Sequence, residues 1–275
     1  MINTMINTNE FYAGLTSLYH LVYPDWGKSL KRQADMIDSV IHEMWGAASE
    51  VLDVSCGIGT QTLGLAGLGY VVTASDLSSE EVNRAKQEAA QRELSVDFSV
   101  ADMRRAFDHH QRQFDVVISC DNSVPHLLSN ENILAAMRQF YSCTRPGGGC
   151  IITVRDYEKE DLSKQQVKPY GIREEEGIRW LLWQVWDPRP PIYDVTFYFV
   201  EDHGEPVCRT HAFRTTYYAV TISSLMKLMR GTGFVDVCRL DDRFFQPMII
   251  GTKKAQQISC RAEINSSRWD SRYAG

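Results

Sequence analysis

One turn organises this sequence. Val51-Leu52-Asp53-Val54 is a short apolar strand that runs directly into Ser55-Cys56-Gly57-Ile58-Gly59, with Thr60 placed to open a helix. Glycines at such a turn let backbone approach a ligand closely, and a helix N-terminus offers N–H groups that no helical carbonyl accepts. From this point strand and helix patterns alternate. Residues 70–75, 95–100, 114–119 and 150–155 read as strands. Between them lie a helix over 79–92, with Ser79 as N-cap and Glu80 and Glu81 in its first turn, and another over 130–144 stopped by Pro146 and three glycines. Such alternation predicts an α/β fold: a doubly wound, seven-stranded, mostly parallel sheet with helices on both faces.

The ends of the pattern differ from its middle. Residues 9–45 read as helical, with Leu15, Leu18, Tyr19 and Val22 at helical spacing, an interruption at Pro24 and a second amphipathic run over 29–44. After Arg155 the rhythm breaks: 156–176 is charged and loop-like. Strand-like stretches at 179–186, 193–201 and 207–218, joined by turn signals at Pro188, Pro190-Pro191 and His203-Gly204, read as an antiparallel insertion. A helix over 221–230 and a strand near 244–252 then return to the main sheet. The expected division is a helical lid (1–48), a ligand-binding core (49–155 with 219–252), the insertion (156–218) and a loosely held tail (253–275).

Bulk properties exclude several classes. The net charge of −6 argues against a partner that presents a nucleic-acid backbone. The seven cysteines show no metal-ligand spacing, so no metal is expected, and several sit in apolar strands as reduced thiols would in a cytoplasmic protein. The polar first ten residues lack the apolar centre of a signal peptide, and no apolar run is long enough to span a membrane.

Acidic residues at strand ends narrow the ligand. A dinucleotide-binding turn wants a third glycine where Thr62 stands, which weakens that reading. Asp76 ends the second strand, where a carboxylate can accept both hydrogen bonds of a ribose diol, and Asp102 ends the third, where it can meet an adenine amino group. Both could instead cap the helices that follow. Three acid-bearing strand ends on one sheet edge favour adenosine without a pyrophosphate, as in S-adenosylmethionine.

The chain resembles the glycine and glycine/sarcosine N-methyltransferases in pieces spread from about residue 11 to residue 251. These include FYAGLTSLYHLVYPDW (11–26), LDVSCGIGTQTLGLAGLGY (52–70), VADMR (100–104), CDNSVPHLL (120–128), RPGG (145–148), VRDY (154–157), QVWD (184–187) and FRTTYY (213–218). The resemblance implies an S-adenosylmethionine-dependent methyltransferase. It places Tyr12, Arg32, Ser55, Gly57, Asp76, Leu77, Asp102, Met103, Cys120 and His126 around the cofactor, with Arg32 on its carboxylate. Asn122, Arg155, Tyr23, Tyr170 and Tyr217 would frame a small acceptor carrying an amine and a carboxylate. Ala13, where relatives often carry an acid, and the polar tail after Lys254 depart from the pattern.

The residues suggest how the reaction would run. Transfer from a sulfonium needs a positioned acceptor lone pair and little water. Arg155 could clasp the acceptor carboxylate, or pair with Asp156 or Glu158 on the surface. The Asn122 carbonyl could aim the amine, and His126 is either a base or a hydrogen-bonded structural residue. Tyr12, Tyr19, Tyr23 and Trp26, with Tyr217 and Tyr218, read as an aromatic lid. Trp180, Trp183 and Trp186 read as packing in the insertion or as the interface of a homodimer. Rival readings are methylation of another small molecule, cyclisation of S-adenosylmethionine with release of methylthioadenosine, and a non-catalytic cofactor-binding role.

Overall fold

The computed structural model describes residues 8–255; the expected tail from 256 onward lies outside them. The chain enters through helix α1 (Thr8–Leu15) and one 3-10 turn (Tyr19–Val22), then forms helix α2 (Trp26–Trp45). Asp25 caps α2 by accepting the Lys28 N–H at 2.9 Å. Leu30, Ala34, Ile37 and Ile41 form its buried stripe, at the three- and four-residue spacing that puts side chains on one helix face.

The strands and helices then alternate as β1 (Glu50–Asp53), α3 (Thr60–Gly67), β2 (Val71–Asp76), α4 (Ser79–Gln91), β3 (Asp97–Val100), α5 (Ala106–His110), β4 (Phe114–Ser119), α6 (Asn130–Cys143) and β5 (Thr144–Thr153). Ser78, not Ser79, caps α4, accepting the Glu81 N–H at 3.3 Å. The short α5 was not foreseen. The RPGGG segment, expected to stop a helix, lies inside β5, where the backbones of Gly147 and Gly148 pair with Lys253.

Next comes a four-stranded antiparallel sheet: β6 (Gln166–Glu175), β7 (Ile178–Arg189), β8 (Ile192–Asp202) and β9 (Arg209–Tyr218), paired in that order. The segment read as a charged loop therefore contains β6. As an edge strand exposing one side to solvent, it carries the charges that edges use against aggregation, which hid its alternation. Helix α7 (Ile222–Gly231) leads to β10 (Val235–Leu240), which sequence reasoning missed, and β11 (Met248–Thr252).

Among the described residues seven strands form the main sheet, in the order β10-β11-β5-β4-β1-β2-β3. Pairs from β5 through β3 are parallel; β11 is antiparallel to both its neighbours. Strand order reverses between β1 and β4, the position where open α/β sheets leave a crevice. Buried side chains of α6 and α7 pack one face of the sheet, and those of α2 and α3 the other. Gly64 on α3 allows the closest approach: a Cβ there would lie 2.5 Å from the Leu30 carbonyl oxygen. The second sheet covers the crevice, its inner face packing on α1 through Phe11, Leu15, Phe197 and Phe199.

Candidate active site

The turn after β1 builds the floor of the site. Gly57 (φ 51°) and Gly59 (φ 94°) take left-handed backbone, and Gly59 stands at the start of α3. The Gly57 N–H donates to Asp76 Oδ2 at 2.9 Å, and Ser78 N–H to Asp76 Oδ1 at 3.0 Å. This ties the β1 and β2 ends together across the crevice. Asp53, fully buried below, accepts from Ser55 N–H at 3.1 Å and Thr62 Oγ1 at 2.8 Å. Burial pushes its carboxyl up to about 7. Thr62, the residue that displaced the third glycine, is thus a partner of Asp53.

A cavity of about 330 Å³ opens above this turn. Its lining includes Tyr12, Ser55, Gly57, Asp76, Leu77, Asp102, Met103, Cys120 and His126, the residues expected around the cofactor apart from Arg32. Arg32 is exposed on α2, one residue from the buried Gln33 that accepts from Gln61 at 2.7 Å. Arg32 borders a neighbouring cavity, with Tyr23, Asp121 and Arg155, rather than this one. Asp102 does cap a 3-10 turn, accepting the Arg104 N–H at 2.8 Å, and it also lines the cavity. Although partial burial opposes it, the Arg104 hydrogen bonds hold the Asp102 carboxyl below its usual range.

Glu81 was named only as a first-turn acid of α4, yet it is buried in this lining with Oε1 lacking a hydrogen-bond partner. Burial, then the nearby Asp76 charge, pushes its carboxyl well up. An orphaned buried carboxyl beside a strand-end carboxylate and a glycine turn fits a polar, hydroxyl-bearing ligand such as a nucleoside.

A second, smaller cavity of about 60 Å³ lies under the antiparallel sheet. Asn122, Arg155, Tyr170 and Tyr217 line it, as expected of acceptor residues. Tyr23 instead lines the first cavity, where its hydroxyl donates to Asp121 Oδ2 at 2.8 Å. Trp186, expected as packing, forms part of the small cavity's wall, with the Arg155 guanidinium 4.3 Å from its ring centroid. Trp180 packs against α1, and Trp183 stacks on Tyr198 at 5.3 Å. Trp26 and Tyr218, expected in the aromatic lid, pack elsewhere: Trp26 Nε1 donates to Thr60 at 2.9 Å, and Tyr218 joins the α6–α7 core.

Three polar groups find partners that decide between their readings, and only Asn122 departs from expectation. Asn122 Oδ1 accepts from the Arg155 N–H at 3.1 Å and the Tyr157 hydroxyl at 3.0 Å. Its carbonyl is therefore already engaged and holds the Arg155 backbone rather than waiting for an amine. Arg155 itself makes no ion pair with a described carboxylate; Asp156, its alternative partner, pairs with Arg239 at 2.7 Å and Lys159 at 3.6 Å. His126 has Nε2 2.8 Å from the Tyr12 hydroxyl and Nδ1 3.4 Å from Thr215 Oγ1. Burial lowers it to about 3, so it is a neutral, hydrogen-bonded residue at physiological pH. No His/Cys/Asp/Glu grouping suited to a metal occurs among the described residues.

Residues 51–148, which carry the turn and strand ends β1 to β4, match a family described as a methyltransferase domain. That stretch of the chain is similar to a methyltransferase domain. The glycine/sarcosine N-methyltransferase of Aphanothece halophytica is 32% identical over 150 residues, which are 54% of this chain and 56% of that protein. The chain thus spans only about half the length of that relative. Beyond that stretch, the fold as a whole resembles solved structures. Streptomyces venezuelae DesVI superposes with a TM-score of 0.75 at 19% identity, over 86% of this chain and 97% of that one. CalS10, an amino pentose methyltransferase from Micromonospora echinaspora solved with S-adenosylmethionine, matches at 0.75 and 18%, with the same coverage. No described helix is long and apolar enough to cross a membrane.

Proposed function

We propose that this chain is an S-adenosylmethionine-dependent methyltransferase acting on the nitrogen of a small amino acid of glycine or sarcosine size. The observation that carries this reading is Arg155: a guanidinium in no ion pair among the described residues, walling a 60 Å³ cavity that adjoins the larger one. A cation so placed suits a ligand carboxylate, which it can clasp with two parallel hydrogen bonds. The cavity's size supports a molecule of a few heavy atoms over an amino sugar, since drug-sized ligands occupy pockets of about 300 Å³ or more.

In this reading Asp76, with Glu81 beside it, takes the ribose hydroxyls. Asp102, Met103 and Leu77 flank the adenine, while Ser55, Gly57, Cys120, Tyr12 and His126 enclose the rest of the cofactor. When bound, the cofactor supplies a sulfonium-activated methyl group. The chain's own residues hold the acceptor and shut out water. Asn122 and Tyr157 fix the Arg155 backbone, the Trp186 ring supports its guanidinium, and Tyr170 and Tyr217 close the acceptor's sides. The names of the Aphanothece relative and of CalS10 both support a methyltransferase, and the former supports an amino-acid nitrogen.

The test is methyl transfer from labelled S-adenosylmethionine to glycine, sarcosine and an amino pentose under matched conditions. Glycine or sarcosine should exceed the amino pentose in kcat/KM by at least about tenfold, the discrimination that one unpaired charge imposes. The reverse order would assign the site to an amino sugar.

A further inference from the structure

Asp121 has no role in the account so far, yet it stands where the two cavities meet. Among the described residues those bordering both are Tyr12, Tyr19 and Asp121. Burial raises both tyrosine phenols, which stay neutral. Asp121 is therefore the one anion that a group crossing from one cavity to the other must pass.

The backbone holds it there against its own preference. Asp121 (φ 54°) and Asn122 (φ 65°) both occupy left-handed backbone, where glycine would be the easier choice. Such strain persists where the surroundings enforce it, and it concentrates at functional sites. Here the Asp121 N–H donates to Thr153 Oγ1 at 2.8 Å. One carboxylate oxygen accepts from the Tyr23 hydroxyl at 2.8 Å and the other from Gln246 Nε2 at 3.2 Å. A carboxylate has about four lone-pair positions, so both oxygens keep capacity for a further donor. The groups facing it are Tyr19, Tyr23 and Tyr170, the Cys120 thiol and the Arg155 guanidinium; Arg32 lies farther out, on a third cavity that Asp121 also borders. Burial outweighs the Tyr23, Arg155 and Gln246 contributions and raises the Asp121 carboxyl.

We propose that Asp121 receives the acceptor's ammonium group and takes its proton, while Arg155 holds the carboxylate at the other end. This rests on the methyltransferase reading above. The ammonium N–H bond breaks and the proton passes to the Asp121 carboxylate, leaving a neutral amine with a free lone pair. That lone pair forms the new N–C bond as the methyl–sulfur bond breaks, its electron pair going to sulfur. The product leaves as a methylated ammonium ion, and Asp121 returns its proton to water when the site opens. A general base of this kind is worth roughly 10²–10⁴ in rate.

Asp121→Asn keeps the shape, and Asp121→Gly relieves the left-handed backbone, so at least one of the two tests a folded protein. In calorimetric titrations of the full chain saturated with S-adenosylhomocysteine, wild type should bind glycine in preference to acetate. Both variants should lose at least tenfold in glycine affinity and none in acetate affinity. In kcat/KM for glycine, wild type should be level through neutral pH. The variants should start about 10²-fold lower at pH 7 and climb tenfold per pH unit, because only amine already deprotonated in water can react. Unchanged glycine preference with a parallel pH profile would overturn the role of Asp121 alone. Binding of S-adenosylhomocysteine with neither glycine binding nor methyl transfer in wild type would remove the acceptor reading and this proposal with it.

Discussion

The Arg155 guanidinium lies 4.3 Å from the centre of the Trp186 ring, and no described carboxylate pairs with it. The ring can support a flat cation but cannot neutralise it. Asp121 faces the guanidinium from the same cavity without forming an ion pair, so the guanidinium N–H donors are left for whatever enters there.

Replacing Arg155 by Ala should raise the acceptor's KM about 100-fold, as expected for losing hydrogen bonds to a charged group worth about 1.5–3 kcal/mol. Affinity for S-adenosylmethionine, held in the other cavity, should change less than about threefold. Calorimetry with each ligand checks this, and equal losses for both would place Arg155 elsewhere in the mechanism.

Tyr157→Phe removes the hydroxyl that bonds Asn122 at 3.0 Å and Tyr193 at 2.7 Å. Asn122 would then be short of a partner beside the Arg155 backbone. Acceptor KM should rise several-fold with cofactor affinity intact, and a thermal melt should show a loss of about 1–3 kcal/mol for the unsatisfied buried groups.

Asp76→Ala should weaken S-adenosylmethionine binding by about 10–100-fold, since a charged acceptor for two hydroxyls is lost. The same change frees the Gly57 N–H, so the melting temperature should fall modestly even without ligand. An unaltered affinity in equilibrium dialysis would move the ribose away from the β2 end.

Asp53 gives a pH dependence of defined sign. Its folded carboxyl is raised to about 7, above its unfolded value near 3.9, so between these the folded protein holds a proton that the unfolded chain has lost. This contribution to stability is present at low pH, declines as pH rises from about 4 through 7, and is level above. Urea unfolding of Asp53→Asn should lack that component, making the difference from wild type shift in the variant's favour as pH increases.

Sequence patterning carried the main sheet well because its central strands are buried on both faces and their helices are amphipathic. The ends of β1, β2 and β3 follow directly, which is why Asp76 and Asp102 were legible. β6 was not, because an exposed edge strand needs no apolar alternation, and β10 was hidden by Asp236 and the half-exposed Cys238. At the site, residue type misled where partners were invisible. Asn122 read as an amine acceptor until Tyr157 and the Arg155 backbone took its oxygen. Arg32 read as a cofactor ligand on resemblance, and in the structure it borders a neighbouring cavity rather than the larger one. Asp121 left one signal that could have found it, an acid at the end of β4 on the same edge as the cofactor acids. Its left-handed backbone and its place between two cavities exist only in three dimensions.

The most direct test of the central claim is mass spectrometry of the purified chain with S-adenosylmethionine, with and without glycine or sarcosine. The account predicts S-adenosylhomocysteine and an N-methylated amino acid only when acceptor is present. Methylthioadenosine forming without any acceptor would contradict methyl transfer, while leaving the fold and the larger cavity as described.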